Sequence, residues 1–127
     1  MTLRLSPLEL LSGNRRMQIY HIWFDISRNI TDLEFTKALK VFLEKLRAED
    51  LIRDYRITRR TLGLGLPELG EFHVTLESDD MAQLDRAFER MTAREGEMEE
   101  AHVNVNRHVE NIRFALYRDF PDENRAE

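Results

Sequence analysis

The chain has 127 residues, a formal charge of −5 and no cysteine. That length suits one domain that can bury about two thirds of its unfolded surface without a metal or disulfide. The missing cysteines exclude a disulfide framework, thiol catalysis and thiolate metal sites. The acidic balance argues against nucleic acid or an anionic membrane as partner, and no apolar run approaches the roughly 20 residues of a membrane span.

Residues 1–16 read as an N-terminal extension. Ser6-Pro7-Leu8-Glu9 resembles a capping box with Pro at the first helical position, and Gly13 can end the short helix. The segment lacks the basic start, long apolar stretch and small-residue cleavage site of a secretory signal, so a cytoplasmic location is expected. A single domain over residues 17–120 and a polar tail over 121–127 complete the organisation.

The first strand, Gln18 to Ile26, alternates strictly. Tyr20, Ile22, Phe24 and Ile26 form an apolar row, and Ile19, His21, Trp23 and Asp25 form the other. Strict alternation marks a strand with two different environments. A helix follows over about 31–49, capped by Thr31 with Glu34 completing the box, and striped by Phe35, Ala38, Leu39, Phe42, Leu43 and Leu46. The second strand spans 51–62, with Tyr55 and Ile57 inward and Arg56, Thr58 and Arg60 outward. Its arginines suit a sheet edge, where charge blocks unwanted pairing.

Three glycines and Pro67 between Leu62 and Gly70 make a long hairpin connection. The third strand sets Phe72, Val74 and Leu76 against Glu71, His73, Thr75 and Glu77. Asp80 and Gln83 open a second helix with the stripe Leu84, Ala87, Phe88 and Met91, which Gly96 interrupts. Residues 97–109 suit both a helix and a strand, and a short helix is the reading taken. His102 and His108, six apart, do not share a helical face and read as surface or helix-packing residues. The last strand, Asn111 to Phe120, sets Ile112, Phe114 and Leu116 against Arg113, Ala115, Tyr117 and Asp119.

The order β-α-β-β-α-β specifies an α+β, ferredoxin-like domain: a four-stranded antiparallel sheet with helices on one face and strands one and three central. Phe35, Leu39, Phe42 and Leu46 should pack on Ile22, Phe24, Phe72, Val74, Phe114 and Leu116. The other face stays open and carries Ile19, His21, Trp23, His73, Arg113 and Tyr117. Apolar residues on a broad sheet surface mark a contact site, and stacking two such sheets would hide them in a homodimer. Nucleic acid fits poorly, because only Trp23 is placed as a base-stacking aromatic and Glu71 and Glu77 repel phosphate.

The element order, with a short first strand beginning Met17-Gln18-Ile19-Tyr20-His21-Ile22, resembles the dimeric α+β barrel superfamily over residues 17–120. The closest likeness in style is to its uncharacterised small bacterial members. The resemblance implies a homodimer and a ligand pocket between sheet and helices or within the barrel. It brings no catalytic motif, and fold alone does not assign a reaction.

The expected function is therefore small-molecule binding by a homodimer, with Trp23, Arg113 and Tyr117 lining the ligand site. One alternative is an enzyme of the cofactor-independent monooxygenase or isomerase kind, with His21 or His73 as base and Arg113 or Tyr117 stabilising an anion. Another is a structural or regulatory dimer without a ligand. The histidine spacing matches no ligand motif, so neither metal nor cofactor is expected.

Overall fold

The computed structural model describes residues 17–121. The elements run β1 (Gln18–Ile26), α1 (Asp32–Ala48), β2 (Asp54–Arg59), β3 (Phe72–Ser78), α2 (Met81–Thr92), α3 (Gly96–Asn106) and β4 (Val109–Arg118). All pairings are antiparallel in the order β2-β3-β1-β4, so β1 and β3 are central as the sequence predicts. The short helix read over 97–109 is α3. Arg94, with left-handed φ (57°), lies in the turn that separates it from α2, and Gly96, also left-handed (71°), is its first residue. The second strand is shorter than expected, and the last begins and ends two residues earlier. The N-terminal extension lies outside the described residues, as do residues 122–127 of the tail.

Local chemistry sets the helix starts. The Thr31 hydroxyl accepts from the Glu34 amide at 3.1 Å, and the Glu34 carboxylate accepts from the Thr31 amide at 3.2 Å. Asp80 accepts the Gln83 amide at 2.9 Å. Gln83 is buried and bonded in both directions. It accepts from the Asp79 amide and donates to the Asp50 carbonyl, which ties α2 to the end of α1.

The core joins the α1 stripe (Phe35, Leu39, Phe42, Leu43, Leu46) to Phe24, Phe72, Val74 and Leu76, with Ala87 from α2 and Met98, Ala101 and Val105 from α3. Phe35 and Leu46 are wholly shielded. The expected packing fails at the β4 edge. Phe114 and Leu116 do lie on the helix side, opposite Ile22 and Tyr20, yet they are 55% and 47% exposed. Alternation reports which way a side chain points, not whether anything covers it, and the buried cluster does not extend over the outer strand.

Candidate functional site

On the open face, alternation places His21 and Trp23 on β1 beside His73 on β3, with Trp23 directly opposite His73. His21 Nδ1 and His73 Nε2 stand 2.9 Å apart, a hydrogen bond in which one ring donates and the other accepts. Their ring planes differ by 16°, and the Trp23 and His73 planes by 7°. Tyr117 on β4 meets His21 edge-on at 4.9 Å. Burial holds both histidines below the usual imidazole range, and the charge that His21 can carry lowers His73 further. The pair is therefore arranged to be neutral.

Of the residues expected at a ligand site, Trp23 and Tyr117 converge on His21. Arg113 does not join them. It lies opposite Trp23, but its guanidinium donates to the Ile112 carbonyl at 2.9 Å. Asp25 also has a structural task. One of its oxygens accepts the Glu71 amide at 2.8 Å and the other the Asn111 side chain at 3.4 Å, bracing the irregular β1–β4 pairing between Trp23 and Asp25.

Beside Trp23 and His73 a crevice of about 180 Å³ opens under the β2–β3 connection. Arg60 shapes that connection by donating to the carbonyls of Leu66 (2.9 Å) and Leu69 (2.6 Å). Gly70 has no room for a side chain, because a Cβ there would run into the Phe24 backbone. The connection holds Leu62, Leu64 and Leu66 in solvent, extending the apolar character of the open face.

A second cavity lies between sheet and helices, one of the two places where the family resemblance implies a pocket, although its lining residues were not among those expected at the site. It measures about 170 Å³ and is bounded by apolar side chains of β1, β3, β4 and all three helices, among them Ile22, Phe42, Val105 and Phe114. The polar groups on its wall are Tyr20, His102 and Asn106. Burial raises the Tyr20 hydroxyl above its ordinary range, so it stays protonated. The His102 ring lies 5.2 Å from Phe42, which agrees with the helix-packing reading and adds a cavity position to it. His102 and Asn106 are four apart on α3 and so share a helix face. That spacing was the available signal; pairing His102 with His108 obscured it. Among the described residues no group of three or more His, Asp or Glu could hold a metal ion, and no helix is long and apolar enough to cross a membrane.

Sheet, helices and open face define a ferredoxin-like domain. Residues 17–127 match the family of unknown function DUF6614, and the chain belongs to that family. No curated protein matches. Among solved structures, it is similar to a dimeric ferredoxin-like protein of unknown function from Bacteroides fragilis, with TM-score 0.53, 15% identity and coverage of 81% of this chain and 96% of that one. It is also similar to SnoaB, a cofactor-independent oxygenase from Streptomyces nogalater, with TM-score 0.62, 8% identity and coverage of 84% and 99%. A dimeric ferredoxin-like protein from Thermobifida fusca gives TM-score 0.54, 19% identity and coverage of 82% and 92%. At these identities the likeness concerns the fold.

Proposed function

We propose that the protein is a homodimer that binds a small, largely apolar molecule in the cavity between sheet and helices, and that the open face is the dimer contact. The observation that carries the ligand reading is the lining: a continuous apolar wall with three polar groups, Tyr20, His102 and Asn106. Binding sites are built this way, with hydrophobic walls for affinity and a few polar groups for orientation. The volume suits one small ring or a short chain, since a dry cavity of about 150 Å³ accepts benzene. Dimerisation is supported by the aromatic cluster of Trp23, the two histidines and Tyr117, by the leucines of the neighbouring connection, and by the dimeric proteins with this fold.

The enzymatic alternative also has an observation behind it. His102, rather than His21 or His73, stands on the wall of the apolar cavity and could take a proton from a bound molecule. The structural likeness to a cofactor-independent oxygenase is compatible with that role and does not assign it.

Titration with 1-hexanol followed by NMR tests the ligand site. Signals of Tyr20, Phe42 and His102 should shift, and Val105→Phe, which fills the cavity, should abolish the shifts while circular dichroism remains native. Shifts centred on Trp23 and Tyr117 instead would overturn this assignment.

A further inference from the structure

The apolar cavity has a second space beside it on the helix side. Phe88 and Met91 of α2, with His102 and Asn106 of α3, line it on one side and on the other line an outer recess of about 400 Å³. The two spaces share this four-residue wall. Their chemistry differs sharply: the inner chamber is almost entirely hydrocarbon, whereas the recess adds Thr92, Arg94 and Glu99. Arg94 belongs to the tight turn between α2 and α3, where its backbone is left-handed (φ 57°). No ion pair or hydrogen bond engages its guanidinium among the described residues, which is also true of Arg28, Arg56, Arg86 and Arg107; what sets Arg94 apart is its place on the wall of the recess.

We infer that the ligand is an amphiphile, a short apolar body carrying one carboxylate, with the body in the inner chamber and the carboxylate in the recess at Arg94. This rests on the cavity reading above and adds the head group. A guanidinium supplies parallel N–H donors that match a carboxylate, and it keeps its charge throughout the physiological range. His102 and Asn106 stand where body and head meet, so they can hydrogen-bond the atoms next to the carboxylate. Glu99 faces the same recess and partly offsets the Arg94 charge. The two residues therefore act in opposite directions on a carboxylate, which gives the inference a sign that can be checked.

The probes are straight-chain carboxylic acids from acetate to octanoate and the alcohols of equal length, titrated calorimetrically into the full-length protein. Affinity should rise about fourfold per methylene, the worth of burying one CH₂, until the chamber fills near about six carbons. At equal length the acid should bind about tenfold more tightly than the alcohol. Arg94→Gln should erase that advantage, Glu99→Gln should enlarge it, and neither should move the alcohols.

If affinity does not grow with chain length for either series, the cavity reading itself fails. If affinity grows with length but acids and alcohols bind alike and Arg94→Gln changes neither, the cavity stands and the carboxylate inference is overturned. Tighter binding of acids to Arg94→Gln would equally overturn it.

Discussion

The two faces of the sheet are built from the same strands and solve different problems. On the helix side, Phe24, Phe72, Val74 and Leu76 are nearly water-free beneath α1, and the space left at the β4 side is a cavity. On the open side, the same strands present a hydrogen-bonded histidine pair flanked by Trp23 and Tyr117, all in partial contact with solvent. One face has its partner within the chain, while the other is finished in a way that suits a second copy. A period of two lets one strand serve both.

The largest expected effect tests how unevenly the helix side is covered. Phe35→Ala removes a fully buried ring and should cost about 3–5 kcal/mol in denaturant titration. Phe114→Ala, on the same face but half exposed, should cost under about 1 kcal/mol. Equal losses would mean that β4 is covered after all.

The next effect belongs to the open face. Trp23→Glu places a charge in the middle of the aromatic cluster and should weaken dimer association by about 2 kcal/mol or more, as loss of a central interface aromatic does. Unfolding of the separated chains should change little. Sedimentation of the unmodified protein as a monomer at micromolar concentration would remove the dimer from the account.

A smaller effect follows from the histidines. Their values lie below those of free imidazole, so the neutral pair is the favoured form and its contribution is complete above the ordinary histidine range. It should be lost as pH falls through about 6.5 and below, because both rings then take up protons and repel. Covering the pair in the dimer would desolvate both rings further, so dimer association should weaken about tenfold between pH 7.5 and 5.5. His21→Asn should remove most of that dependence. A dimer equally tight at both values would show that the pair does not lie in the contact.

Much of this architecture was legible in the chain. Alternation in β1 and β3 placed His21 beside His73, and the Thr31 and Asp80 caps fixed two helix starts. The resemblance implied a pocket between sheet and helices, but its lining was not legible, because Ile22, Phe42 and Val105 look the same in sequence whether they meet a neighbour or a void. Two of its three polar groups, His102 and Asn106, fall on α3, where apolar spacing suits a helix and a strand alike. Arg113 was expected at the ligand site from strand parity, and its guanidinium is bonded to the Ile112 carbonyl. Strand parity gives the direction of Cβ, and a long flexible side chain can then turn back to its own backbone.

On the proposed reading the two faces work separately, one for assembly and one for the ligand. Calorimetric titration of hexanoate into Trp23→Glu tests it most directly. The variant should sediment as a monomer and still bind one hexanoate with an affinity within about twofold of the unmodified protein. Loss of hexanoate binding together with the dimer, in a variant whose circular dichroism is native, would contradict it and return the ligand to the open face.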